Sequence, residues 1–432
     1  MTKDRPIKHY LSSYAHKDSR LDSFPDKLYS HAIILPAYAE DPDELSRLLL
    51  NLDHYSALII VVVNCPPENP DNRLQVQKTR SCLSALQQQF PRICLVAQNM
   101  SLHSLHNNAS SNLLLINRCS PSLEIPSKHG VGLARRIAAD IACQLIEKGC
   151  VQSPWVHSID ADVILPNDYL SSCQQSEAAA CVYPFLHDGA NNRITIATLL
   201  YELHLRNYVA GLKWAGSPFA FHSIGSCLAF HATAYAKVRG FPLRSAGEDF
   251  YLLNKLAKVG NIESLDCPPV TIQARQSNRA PFGTGPAVES ILVARHSLET
   301  YQTYHPQLFE ILRQWLSMSN QLWEQGANFL EKLPEEPLFA LNQLGFVTFL
   351  TKLIDQAQTE IHFMKGFHDW FDGFRTLRFI HILREKYYSD ISIADCMSAP
   401  HLQTNTPTPC REAEAFSRCL SRLFQKMDTP LD

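Results

Sequence analysis

The stretch Trp155-Val156-His157-Ser158-Ile159-Asp160-Ala161-Asp162-Val163-Ile164-Leu165-Pro166 decides the fold. An apolar run climbs to two carboxylates and stops at a proline. Trp155, Val156 and Ile159 suit a buried strand. Asp160 and Asp162 stand where that strand would end. In open α/β sheets, ligands bind outside the carboxyl ends of strands. Two acids separated by one residue can both address one hard cation and its bound phosphates. Mg²⁺ and Mn²⁺ prefer oxygen ligands and keep positions for water and phosphate. A lone Asp-x-Asp is more often a solvated turn, so the surrounding chain has to decide between the two readings.

Upstream, His31-Ala32-Ile33-Ile34-Leu35-Pro36-Ala37-Tyr38-Ala39-Glu40 reads as a buried strand that leaves at Pro36. Pro42 and Glu44 open a helix running through about Asp53, with Leu45, Leu48, Leu49 and Leu52 on one face. Leu58 to Val63 is a second buried strand. A helix from about Arg73 to Gln89 follows, and Ile93 to Ala97 is a third strand. This β-α-β-α-β order implies a parallel sheet with right-handed crossovers. Residues 98 to 127, rich in Asn and Ser apart from Leu113 to Ile116, read as an excursion over the sheet's edge. Lys128-His129-Gly130-Val131-Gly132 then leads into a helix to about Lys148, stopped by Gly149.

Downstream, Ala178 to Tyr183 and Ser226 to Phe230 are strand candidates, and Ile194 to Ala210 is helical in pattern. Gly247-Glu248-Asp249 opens a helix with Phe250, Leu253, Leu256 and Ala257 facing inward. From about Pro286 the pattern is helical to about Lys426, broken at Pro334, Pro337 and residues 398–409. The expected organisation is an N-terminal arm (1–29) packed through Tyr10, Tyr14 and Tyr29, an α/β domain (30–285) and a C-terminal helical region (286–432).

Of the 432 residues, 45% are hydrophobic and 19% charged, enough for a sizeable core. The net charge of -3 provides no basic field for nucleic acid. The 13 cysteines are scattered, with no Cys-x-x-Cys, so reduced thiols in the cytoplasm are the expectation. The N-terminus lacks the apolar core of a secretory signal. The longest apolar run, Ala57 to Val63, falls short of the roughly 20 residues that span a bilayer.

Four landmarks stand in order: Pro36-Ala37-Tyr38-Ala39-Glu40, Lys128-x-Gly-x-Gly-x-Ala-Arg135, Asp160-Ala161-Asp162, and Gly247-Glu248-Asp249. Together with the strand pattern, this set resembles the family 2 glycosyltransferases with the GT-A fold, over roughly residues 30 to 285. The resemblance implies a mostly parallel sheet flanked by helices. It also implies transfer of a sugar from a nucleotide-diphospho-sugar to an acceptor hydroxyl, assisted by Mn²⁺ or Mg²⁺. Pro36, Ala37, Tyr38 and Glu40 are similar to the segment that holds the nucleoside. Asp160 is similar to the residue facing the ribose, Asp162 to the metal ligand on the diphosphate, and Asp249, with Glu248 beside it, to the catalytic base. Inversion and single-sugar transfer follow from one base and from the lack of a Gln-x-x-Arg-Trp motif and membrane spans.

Other landmarks carry less. Lys128, Arg135 and their helix N-terminus would favour a bound anion, although a glycine turn before a helix is commonplace. Glu248 and Asp249 alone would read as a helix cap. Arg275 to Gly285, with Arg279, is either a lid over the diphosphate or a linker. His222 is a candidate acceptor-pocket or metal residue, with ordinary packing the commoner role. The aromatic 366–384 stretch reads as core, with a peripheral membrane or lipid-acceptor face as the alternative. The acceptor (saccharide, lipid or small molecule) is left open. Competing readings are a nucleotidyltransferase that makes a nucleotide sugar and a non-catalytic nucleotide-sugar-binding protein.

Overall fold

The structure is a computed structural model that describes residues 6–106, 110–277, 279, 281–404 and 411–427. The first five residues of the expected arm, Asn278 and Ala280 of the arginine-bearing loop, and residues 405–409 of the expected helix break lie outside the described residues. The chain divides into two units. One holds residues 1–188, 223–273 and 277–286, and the other holds residues 189–222, 274–276 and 287–432. Residues 189–222 therefore group with the C-terminal helices, where the sequence placed them before the boundary at 286.

The first unit contains strands β1 (His31–Ala37), β2 (Ala57–Asn64), β3 (Arg92–Ala97), β4 (Met100–Ser104), β5 (Asn112–Arg118), β6 (Trp155–Ser158), β7 (Val163–Ile164), β8 (Ala180–Val182), β9 (Phe185–Asp188), β10 (Leu228–His231), β11 (Ile262–Ser264) and β12 (Val270–Gln273). Nine of them make a mixed sheet in the order β11-β8-β10-β6-β1-β2-β5-β4-β3, and β7, β12 and β9 pair separately. The central run β6-β1-β2-β5 is parallel throughout. On its flanks β10 is antiparallel to β6 and β8, and β3-β4-β5 is an antiparallel meander.

The expected β-α-β-α-β run therefore fails at its third strand. The place beside β2 belongs to β5, whose Leu113 to Ile116 are buried on both faces. The stretch read as an excursion supplies a central strand. β3 is an edge strand, with Ile93 52% and Leu95 56% exposed. A continuous apolar run belongs inside a parallel sheet, but Ile93 to Ala97 is as continuous as Leu113 to Ile116, so the run alone does not separate the edge strand from the central one.

Helices cover both faces of the central run. Helix α1 (Pro6–Ser13) belongs to the N-terminal arm. Helix α2 (Pro42–Asn51) starts with Pro42, and the Asp41 side chain caps the N–H groups of Asp43 and Glu44. Its Leu45, Leu48 and Leu49 join Val76, Leu83 and Leu86 of α3 (Arg73–Gln89) against Ile33, Leu35, Ile59, Val61 and Val63. Helix α4 (Gly130–Glu147) packs on β1 and β2, and ends where Gly149, at φ +77°, donates its N–H to Ile146. In the arm, Tyr10 and Tyr29 are buried as expected, and Tyr10 Oη donates to Asp140 Oδ1 at 2.5 Å. Tyr14 stays partly exposed under the Arg239 guanidinium.

The second unit is helical apart from a two-residue strand pairing between Gln302–Thr303 and Ile391–Ser392. The 366–384 stretch forms parts of two helices, Glu360–Trp370 and Gly373–Lys386, because Asp372 breaks the first and caps the second. Phe367 and Phe371 are buried among Trp315, Phe346 and Phe379, and Phe374 is exposed. Core packing accounts for most of this aromatic run. The helices Glu335–Gln343 and Phe346–Gln356 are apolar enough together to pass for a broken span, but they meet at 80° and bury Leu341, Phe346 and Leu350 in the same core. Among the described residues, no single helix is long and apolar enough to cross a membrane.

Candidate active site

Strand order reverses about β1. β2 and β5 lie on one side and β6 on the other. Such a switch point opens a crevice at the carboxyl ends of the strands. Ile34 pairs with Ser158, and the Ile159 N–H donates to the Ile34 carbonyl at 3.0 Å. Asp160 and Asp162 therefore leave β6 alongside the Pro36-Ala37-Tyr38 exit of β1. The sequence landmarks from the first and third positions meet here.

The exit of β1 is a strained turn. Ala39 adopts φ +54°, a conformation that costs an L-residue about 1–2 kcal/mol. Its N–H is held by Thr79 Oγ1 at 2.9 Å. Tyr38 is half-buried and Glu40 is 9% exposed. Arg279 forms an ion pair with Glu40 through Nη1 and donates to the Tyr38 carbonyl at 2.8 Å. Glu40 and Arg279, expected on the nucleoside and the diphosphate, are thus brought together on one another.

Arg135 is the hub of the other side. It projects from α4 and is buried. Its Nε donates to Glu248 Oε1 at 2.9 Å, and Nη2 donates to Asp160 Oδ1 at 2.6 Å. Nη1 donates to the Gly225 carbonyl at 3.0 Å and to Ser158 Oγ. Arg135 was expected to help bind an anion. Its donors are instead spent on two protein carboxylates and the end of β6, so its office is positioning. A β-carbon at Gly225 would sit 2.5 Å from Arg135 Nη2, and glycine is what leaves room for the guanidinium.

The glycines of α4 have a similar explanation. The Gly132 N–H, one of the first-turn groups expected to face an anion, donates to the Arg244 carbonyl at 2.9 Å. A β-carbon at Gly132 would lie 2.5 Å from the Pro242 oxygen, and one at Gly130 would lie 2.8 Å from Ser245 Cα. The two glycines form a notch for the backbone of residues 242–245, which leads directly into Gly247-Glu248-Asp249. Lys128 is exposed just before this helix. Where a bound anion or an ordinary glycine turn was expected, Gly130 and Gly132 form a backbone-docking surface.

Glu248 and Asp249 begin the Glu248–Leu256 helix after Gly247 at φ +70°. Leu252, Leu253 and Leu256 bury that helix, while Phe250, expected inward, is half-buried. Burial raises the Glu248 carboxyl, and the Arg135 charge opposes this. Asp249 is pushed up to about 7, first by burial and then by the neighbouring Glu248 charge, against the pull of Arg135. Its Oδ1 accepts from the Phe250 N–H at 2.7 Å.

Asp162 is half-buried, and its backbone oxygen accepts from Gln273 N at 2.8 Å. Among the described residues no group of three or more His, Cys, Asp or Glu side chains could hold a metal ion. An all-protein cage is therefore not the fit. A cation delivered with a diphosphate needs only one or two carboxylates, and Mg²⁺ commonly binds so. Asp162 suits that arrangement.

His222 lies in the second unit, where its Nε2 is 2.9 Å from Glu412 Oε2. Sequence reasoning missed Ser158, Gly225, Thr79 and the 242–245 backbone. Only the glycine just before β10 left a trace that could have been followed. No family model matches the chain, and no curated protein matches it.

Proposed function

We propose that the chain is a metal-dependent glycosyltransferase of GT-A type, moving a sugar from a nucleotide-diphospho-sugar to an acceptor hydroxyl with inversion and without processivity. The observation that supports this best is the Arg135 hub. It holds Asp160 and Glu248 together at the switch-point crevice, and so fixes the start of the helix that carries Asp249.

In this reading the turn at Tyr38, Ala39 and Glu40 receives the nucleoside, and Asp160 faces the ribose. Asp162 would hold Mn²⁺ or Mg²⁺. A bound divalent cation stabilises the negative charge on the departing diphosphate as a Lewis acid. The sugar carries oxocarbenium character as that bond breaks. Asp249 takes the proton from the attacking hydroxyl. A carboxylate raised toward neutrality is matched to that task, because a general base works best when its pKa lies near the operating pH. Arg279, paired with Glu40 and bonded to the Tyr38 carbonyl, forms one wall of the site in this reading.

A thermal-shift series with nucleoside diphosphates, with and without Mn²⁺, tests the donor half. Ligand binding to the native state raises apparent stability by mass action. A shift that requires Mn²⁺ in the wild type and disappears in Asp162→Ala supports the reading. An equal shift in both proteins removes Asp162 from the site.

A further inference from the structure

Two thiols stand side by side at the carboxyl edge of the sheet. The parallel pairing of β2 with β5 ends in register at Asn64 and Arg118. Cys65 and Cys119 are the next residues of the two strands, and the Cys65 N–H continues the ladder to the Arg118 carbonyl at 3.2 Å. Residues opposite each other in a parallel pair point to the same face. Both cysteines accordingly lie in one core cluster, fully buried. The Cys65 sulfur is 3.6 Å from the Cys119 carbonyl, and the Cys119 sulfur is 3.6 Å from Asn117 Oδ1. Arg80 reaches over the pair and donates Nε to the Cys119 carbonyl at 3.1 Å.

The geometry points to a reversible disulfide between Cys65 and Cys119, formed by a peroxide oxidant. Adjacent strands run about 4.7–4.9 Å apart, inside the window of about 4.4–6.8 Å between Cα atoms that a disulfide tolerates. The two thiols are also unequal. The neighbouring Cys119 side chain and the Arg80 charge hold Cys65 below its ordinary value despite burial. Cys119 is raised by the Cys65 side chain beside it and by burial. In this proposal Cys65 is the attacking sulfur and Cys119 the resolving one, an order that the Cys119→Ala variant reads directly.

The step balances. The Cys65 sulfur attacks one oxygen of hydrogen peroxide, the O–O bond breaks, and Cys65 becomes a sulfenic acid. The departing hydroxide takes the Cys65 proton and leaves as water. The Cys119 sulfur then attacks the sulfenic sulfur, the S–O bond breaks, and the S–S bond forms. A second water carries away that oxygen and the Cys119 proton. Two electrons pass from the thiols to the peroxide, and a dithiol reductant reverses the change. The inference does not depend on the glycosyl-transfer reading.

The full-length chain is treated with hydrogen peroxide, denatured in an alkylating agent and mapped without reduction. The expected result is joint loss of alkylated Cys65 and Cys119, a linked pair of peptides, and recovery of both thiols with dithiothreitol. In Cys119→Ala, a sulfenic-acid probe is expected to label Cys65 and no link forms. A wild type in which other cysteines oxidise while Cys65 and Cys119 remain alkylatable overturns the proposal. So does a wild-type Cys65 that accumulates as sulfenic or sulfinic acid with Cys119 untouched. Because Cys119→Ala opens a small cavity, Cys119→Ser provides a second variant with the same expected outcome.

Discussion

Arg135 and Glu248 lie 113 residues apart in the chain and 2.9 Å apart in the fold, Nε to Oε1. Both are buried, at 3% and 4% exposure. The same guanidinium holds Asp160, so one side chain ties the end of β6 to the start of the Glu248–Leu256 helix.

Removing one partner of a buried pair strands the other charge, at a cost of about 3–5 kcal/mol. Arg135→Ala is therefore expected to lower stability by about that much, measured from the urea midpoint. Arg135→Lys keeps the charge but loses the planar fork, and should fall between. The double variant Arg135→Met, Glu248→Gln removes both charges and should recover part of the loss. A drop under about 1 kcal/mol for Arg135→Ala would be that of an exposed pair, and Arg135 would not be the hub.

Gly132→Ala drives a β-carbon against the Pro242 and Arg244 carbonyls, 2.5 and 2.6 Å away. Overpacking of this kind typically costs about 1–3 kcal/mol. Its effect should concentrate on residues 242–249, visible as faster hydrogen exchange there. Gly149→Ala is the control. It meets no atom within 4 Å and pays only for its φ of +77°, about 1–2 kcal/mol. Equal exchange patterns in the two variants would contradict the docking role.

How far the sequence reached depends on how local each signal was. β1, β2, α3 and α4 were legible because continuous apolar runs and helical stripes are written in neighbouring residues. β5 was not. Its four-residue apolar run, Leu113 to Ile116, is short, and it sits among Asn and Ser. The two-residue turn that returns β3 into β4, Gln98-Asn99, lacks the glycine that marks a tight hairpin, so it gave no signal. The motif before α4 was found, but for another purpose. A glycine that admits an anion and one that admits a carbonyl look alike until the partner is seen. The Arg135–Glu248 pair left no periodic trace at all, and neither did Arg279 on Glu40.

Asp249 carries a pH expectation. A general base must be ionised to act, so kcat/KM should rise with pH through the raised value, near 7, and then level off. Glu248→Gln removes the neighbouring negative charge, and the rise should move to lower pH. Stability follows the opposite course. Asp249 titrates higher folded than unfolded, so its ionisation costs stability as pH climbs from the ordinary carboxylate range to the raised value. Asp249→Asn should therefore gain on the wild type above that window and match it below. A pH profile that Glu248→Gln leaves unmoved would separate the two carboxylates.

Nucleoside diphosphate release from labelled nucleotide sugars, compared between the wild type and Asp249→Asn in the presence of Mn²⁺, tests the central claim most directly. Asn keeps the shape and the hydrogen bond from Phe250 N, but cannot take a proton. The wild type is expected to release nucleoside diphosphate and yield a product of inverted anomeric configuration. Asp249→Asn should turn over about 10²-fold more slowly or worse, with donor affinity little changed. Equal release by the variant, a retained configuration, or release of pyrophosphate in place of nucleoside diphosphate would contradict the account.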